Sequence, residues 1–252
     1  MSTPAEAPQE ESFLSHLIEL RTRLVRAAIA VVVAFLALAP FTKTIFELLS
    51  APLTQALPVG TKLLATGVIT PFMVPVKVTL LVAFVIALPV VLYQAWAFIA
   101  PGLYAHERKF AMPIVLSGFI LFLCGMAFCY FFVFGVVFKA MVHFAPDSVS
   151  VAPDIEQYFS FVLGMFVAFG LTFEVPIVVV VLVRFGIVEI AKLKEIRPYV
   201  VVGAFVVAAI VTPPDVVSQL MLAIPLCLLY EIGIQASRFV TARKRSDPDI
   251  AD

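Results

Sequence analysis

The carboxylates are the residues of this sequence best placed to do chemistry, and the most conspicuous is Glu174, set inside FGLTFEVPIVVVV at 169–181. A charged side chain near the centre of a bilayer costs roughly 2.5–3.5 kcal/mol on insertion scales, so an acid there is kept for a task or sealed by packing. No lysine or arginine lies within two helical turns of it. Gly164 and Gly170 share its helix, and Gly170 falls one turn earlier on the same face, where a close neighbour or an inserted ligand could approach. The alternative is a helix kinked at Pro176 with a protonated Glu174 closed inside the bundle. Two further acids sit where the chain meets water. Glu19, in FLSHLIELRTRL, can pair with Arg23 one turn on. Glu107, in APGLYAHERKF, falls in the first turn of the helix after the Pro101–Gly102 turn, where the dipole favours an anion. Asp215, after Pro213 and Pro214 and directly before a helix, is first of all an N-cap. No HExxH or GxSxG occurs, and His16, His106 and His143 lie outside the apolar runs, which argues against an intramembrane enzyme. Cys124, Cys129 and Cys227 lack CxxC spacing and are read as free, buried thiols, with no metal or cofactor implied.

The elements that must position these acids are helices in lipid. Of the 252 residues, 62% are hydrophobic and 13% charged, and the mean hydropathy is +1.09, so water cannot solvate the chain as a globule. Apolar runs fall at Leu24–Phe41, Phe72–Phe98, Met112–Phe138, Tyr158–Val183, Tyr199–Val211 and Val216–Ala236, and the first four have about the 20 residues that cross a bilayer as helix. They lack the dyad alternation of outer-membrane strands. The reading is an all-α integral membrane protein, one polytopic domain over 1–252, with a flexible 1–12, a six-span core at 13–238 and a tail at 239–252. Arg21, Arg23, Arg26, Arg108, Lys109, Arg184, Lys192, Lys194, Arg197, Arg238, Arg243, Lys244 and Arg245 fall on one side, against Lys43, Lys62 and Lys139 on the other. That asymmetry predicts both termini inside. Lys77 is left over near the outer end of the second span and is expected to snorkel. The acidic N-terminal twenty residues fit no signal peptide, so the first span is read as retained. Tyr199–Val211 is too short to cross, the apolar centre of the last span is brief, and TPPD turns the pair into a hairpin. Pro89, Pro176 and Pro225 leave the carbonyls of Val85, Thr172 and Met221 without helical donors and favour bends that build a concave wall.

The stretches HLIELRTRL, SAPL, FIAPGLYAHERKF, FEVPI, RPYVVVGAFVVAAIVTPPD and LAIPLCLLYEIG, in this order and spacing, resemble the TatC family of the twin-arginine protein translocase from about His16 to Arg238. Gly102, Ala105 and Lys109 depart from its usual form. The resemblance implies a cupped six-helix receptor in the bacterial inner membrane, with no ATP, metal or nucleic acid, working in a multimeric complex driven by the proton gradient. It also implies a binding site for twin-arginine signal peptides at Glu19 and Glu107, with Arg21 and Lys109 beside them and Phe98 and Leu103 positioning the loop. A carboxylate takes a guanidinium through two parallel charge-assisted hydrogen bonds that lysine cannot reproduce. Further implied roles are a polar point at mid-depth for Glu174, contact with TatA- and TatB-type single-span partners at Thr212 and Gln219, and structural roles for Pro52, Pro89 and Asp215, with Pro52 and the first outer loop helping to form a lid. A proton- or ion-coupled secondary transporter using Glu174 explains an intramembrane acid equally well on physical grounds. Against it, no inverted repeat is evident and no second acid or basic partner sits at similar depth.

Overall fold

The structure, a computed structural model, describes residues 8–56, 63–99, 111–144, 153–212 and 215–246. Helices carry almost all of them: α1 (Pro8–Leu38), α2 (Thr42–Ala56), α3 (Thr70–Ile99), α4 (Ala111–Phe128), α5 (Phe134–Phe144), α6 (Ile155–Arg184), α7 (Ile190–Glu195), α8 (Arg197–Val211) and α9 (Val216–Ser246). A 3-10 turn, Ala39–Phe41, joins α1 to α2, and a π turn, Cys129–Val133, joins α4 to α5. Among the described residues there is no strand, only an isolated bridge between Leu64 and Asp154.

Each predicted run lies in helical structure, Leu24–Phe41 ending in the 3-10 turn and Met112–Phe138 passing from α4 through the π turn into α5. Among the described residues five helical stretches are long and apolar enough to cross a bilayer, with Arg197–Val211 a shorter apolar helix. The 15 residues of α8 give about 22 Å of rise against a ~30 Å hydrocarbon core. The sixth span, expected to be short, is not: Val216–Phe239 is itself long and apolar enough to cross, and α9 runs on to Ser246. Two elements were not foreseen. TKTIFELLSAPLTQA falls outside the predicted runs, yet Ile45, Phe46, Leu49 and Leu53 recur at helical spacing and it folds as α2. IAKLKE forms α7 because Leu193 anchors one face under α9 while Lys192 and Lys194 stay exposed.

The helices divide into two compact units. The first holds α1, α3 from Thr79 and α4 to Phe119. In it Ala83, Val85, Ala87 and Leu88 of α3 and Val115 of α4 are buried, while Leu24, Ile29, Val33 and Leu36 of α1 are exposed. Such a column of apolar side chains is intolerable in water and ordinary in lipid.

The second unit holds α2, α3 up to Val78, and everything from Ile120 onward. Its centre is α6 packed along α9. Gly233 makes that approach possible: a Cβ there would lie 2.9 Å from Val179 Cβ and 3.0 Å from Pro176 Cα. Gly125 does the same between α4 and α6, against the backbone of Phe169. Aromatic rings fill the space beside α5 and α6, with Phe134 against Phe138 and Phe166, and Tyr158 against Phe138 and Phe159. At the α7 end, Val179, Leu193, Tyr230 and Ile234 form a second cluster. There the Tyr230 hydroxyl donates to the Leu193 carbonyl at 2.8 Å.

Helix α6 has a defined stop at each end. Asp154 caps its start, accepting from the amides of Glu156 (2.8 Å) and Gln157 (3.1 Å). Its end is a Schellman turn: Gly186, at φ +68°, donates to Val183 O while Ile187 donates to Leu182 O. Only glycine takes that left-handed position without penalty.

Candidate functional site

Glu19 lies on α1 as expected, half-buried, and its Oε1 accepts from both Nε (2.9 Å) and Nη2 (2.5 Å) of Arg23. The i,i+4 spacing delivers the pair, since the two side chains meet one turn apart. Two donors of one guanidinium thus converge on one carboxylate oxygen, and Oε2 is left to neither of them. Arg21 is exposed on the same helix, and Phe98 is half-buried near the end of α3. Glu107, Leu103 and Lys109, with the Pro101–Gly102 turn, lie outside the described residues, as do Pro213 and Pro214.

Glu174 sits within the crossing stretch of α6. Its Oε1 is shut off from solvent and accepts no hydrogen bond among the described residues. Gly170, one turn earlier, does not open onto a ligand space, because a Cβ there would collide with the ring of Phe122. The close neighbour anticipated at that glycine is thus Phe122. Gly164 does face open space. It lines an apolar groove of about 610 Å³ with Ala168 and Thr172 of α6, Val207 and Val211 of α8 and Leu226 of α9, and Glu174 is not part of that lining.

In the α8–α9 hairpin, Asp215 acts as the N-cap: its Oδ1 accepts from the Ser218 amide at 2.7 Å. Thr212 is buried and turns its hydroxyl back to Ala208 O at 2.9 Å, while Gln219 Nε2 bridges from α9 to Phe205 O at 3.4 Å. Pro52 lies inside α2, Pro89 inside α3, and Pro176 and Pro225 inside α6 and α9. Midway along α9, Arg197 at the start of α8 grips Glu231, with Nη2 donating to Oε2 at 2.7 Å and Nε 2.7 Å from Oε1.

Several polar features were not anticipated. Segment 63–69 is tied to the start of α6: Leu64 N donates to Pro153 O, Ile155 N to Leu64 O, and Thr66 through N and Oγ1 to Asp154 Oδ2. Glu156 accepts from Thr70 Oγ1 at 3.1 Å and from Lys77 at 3.3 Å, so Lys77 is paired rather than merely snorkelling. The Thr66 hydroxyl first, then the amides of Gln157, Glu156 and Thr66, hold the Asp154 carboxyl below the usual carboxylate range. The signal for this clasp was present in DIEQ, a cap residue with Gln three positions on. Gln94 in α3 has a buried Oε1 without a partner among the described residues, marked in sequence only as an amide inside VVLYQAWAF. Cys129 and Cys227 are buried or half-buried, but Cys124 is exposed, contrary to the expectation of three buried thiols. No group of three His, Cys, Asp or Glu residues able to hold a metal occurs among the described residues.

Long apolar helices with prolines inside them and an acid within one crossing stretch define a multi-pass helical membrane protein. Residues 15–225 match the family described as Sec-independent protein translocase protein (TatC). The chain is 49% identical to the Sec-independent protein translocase protein TatC of Escherichia coli (strain K12) over 94% of this chain and 92% of that one. It is 46% identical to the TatC of Azotobacter chroococcum mcd 1 over 100% and 98% respectively. The crystal structure of a twin arginine translocase receptor TatC superposes with a TM-score of 0.79 at 39% identity, covering 90% of this chain and 99% of that one. The chain belongs to the TatC family, a translocase component that works within a complex and is not an enzyme. Family membership also decides against the secondary-transporter reading.

Proposed function

We propose that this protein is the signal-peptide receptor of a bacterial inner-membrane twin-arginine translocase, with both termini cytoplasmic. The observation that carries it is the match over 15–225 combined with Glu19 on α1, already arranged to accept a guanidinium through two donors at once. In this reading Glu19 and Glu107 take the paired arginines of a signal peptide, Arg21 and Lys109 flank them, and Phe98 and Leu103 set the loop. An incoming guanidinium either uses Glu19 Oε2, which Arg23 does not engage, or displaces Arg23, an exchange of like for like that costs little. Lysine, with no planar fork, cannot make the same exchange.

TatA- and TatB-type single-span subunits pack at the α8–α9 hairpin, where Gln219 presents a polar point and Thr212, its hydroxyl turned back to Ala208 O, shapes the contact from within. The short α8 and the apolar groove beside it support a partner whose own span is short. Glu174 serves a later step of transport at mid-depth.

Photocrosslinking from around Glu19 and Glu107 to a signal peptide carrying RR, compared with one carrying KK, tests the recognition step. A charge-assisted hydrogen bond contributes about 1.5–3 kcal/mol, so RR labels at least about tenfold more strongly, and Glu19→Gln with Glu107→Gln abolishes the difference. Equal labelling by RR and KK refutes selective recognition. Glu174→Ala retains crosslinking and loses export; loss of both in step removes the division of labour.

A further inference from the structure

Five consecutive carbonyls of α2, Glu47 to Ala51, each accept a side-chain hydroxyl. Ser50 donates to Glu47 O (2.9 Å), and Thr54 to Ser50 O (3.2 Å) and Ala51 O (3.1 Å). Those are the local back-bonds that Ser and Thr commonly make in helices. The other two donors come from far along the chain: Tyr130 Oη to Leu48 O at 2.9 Å and Tyr158 Oη to Leu49 O at 3.0 Å. The cause lies in Pro52. In an α-helix residue 52 would donate its amide to the carbonyl of residue 48, but proline has no N–H and its ring presses that carbonyl outward. The Tyr130 hydroxyl arrives at the one carbonyl that Pro52 leaves without its helical donor.

The arrival is built in. Tyr130 belongs to the π turn Cys129–Val133, whose extra residue shifts the register of side chains between α4 and α5. Its ring stacks on Phe166 at 6.4 Å and 11°, and Tyr158 is buried against Phe138 and Phe159. Phe46 of α2 in turn lies 4.7 Å from Phe159. Neither hydroxyl can leave its carbonyl without disturbing those rings.

We propose that Tyr130 is a positioning residue for transport: its hydroxyl replaces the missing Pro52 amide and, with Tyr158, holds the proline-bearing α2 against α5 and α6. The activity part rests on the export function proposed above, whereas the hydrogen bond itself is read independently of it. The test uses the full-length chain as wild type, Tyr130→Phe, Pro52→Ala and the double variant. Each is measured by amide exchange of α2 peptides in detergent and by export of a twin-arginine cargo in cells. Tyr130→Phe speeds α2 exchange about two- to tenfold, the loss expected for one hydrogen bond, and reduces export. Pro52→Ala restores an amide donor to Leu48 O, so the same Tyr130→Phe change then costs less than half as much. An equal penalty in both backgrounds, unchanged α2 exchange in Tyr130→Phe, or faster exchange with full export each overturns the proposal. If Pro52→Ala does not accumulate, Tyr130→Phe exchange and export decide alone. A wild-type chain that fails to export the cargo overturns the receptor reading instead, leaving the exchange result to judge the hydrogen bond.

Discussion

Replacing Gly233 by alanine sets two terms of known size against each other. Alanine is favoured over glycine in a helix interior by about 1 kcal/mol. Against this, the new Cβ would lie 2.9 Å from Val179 Cβ, 3.2 Å from Val179 Cγ1 and 3.0 Å from Pro176 Cα. Val179 can shift its side chain slightly, but Pro176 Cα is main chain and moves only with α6. Overpacking of that kind costs about 1–3 kcal/mol, so the net change is a destabilisation of about 0–2 kcal/mol, or a few degrees in Tm at about 2–4 °C per kcal/mol. Gly164→Ala is the internal control, since a Cβ there meets nothing within 4 Å, and it keeps the full helix-propensity gain. Thermal unfolding of both variants in nanodiscs, followed by helical circular dichroism, should place them on opposite sides of the wild type. Gly233→Ala as stable as Gly164→Ala would refute the close crossing of α9 over α6.

Two further outcomes follow from the helix ends. Because the Asp154 carboxyl is held below its ordinary range in the folded protein, the unfolded chain binds the proton more readily. Its contribution is therefore complete above about pH 4 and fades as the pH falls through the lower folded value. The stability gap between wild type and Asp154→Asn should accordingly narrow on acidification from pH 6 to about pH 3, and a constant gap would contradict the clasp. Asp215→Ala removes the bond to the Ser218 amide and should cost about 1 kcal/mol in unfolding experiments, with Asp215→Asn retaining most of it; equal losses in the two variants would show that the cap is not the source.

Much of the scaffold was legible along the chain. Apolar run length placed the six crossing or near-crossing helices because a bilayer imposes a minimum length and forces the backbone to bond within itself. The 13-residue run Tyr199–Val211 announced the short α8, and the position of Asp215 after two prolines announced its cap. Glu19 and Arg23 paired because a helix brings i and i+4 together whatever surrounds it. Each of these signals is local.

What stayed hidden depends on who arrives from a distance. Gly164 and Gly170 read alike in sequence, yet Phe122 fills the space over one and the other opens on a groove. Lys77 looked solitary until Glu156, 79 residues away, came within 3.3 Å of it. The Leu48 carbonyl, which Pro52 leaves without its helical donor, is met by Tyr130 because a π turn and an aromatic stack aim one hydroxyl at that point. Sequence by itself determined that the chain crosses a membrane as helices and which apolar runs do so, since length and composition are properties of a segment alone. Only the tertiary structure decided which polar atoms are satisfied and which glycines are filled, since both depend on packing between segments that periodicity cannot pair.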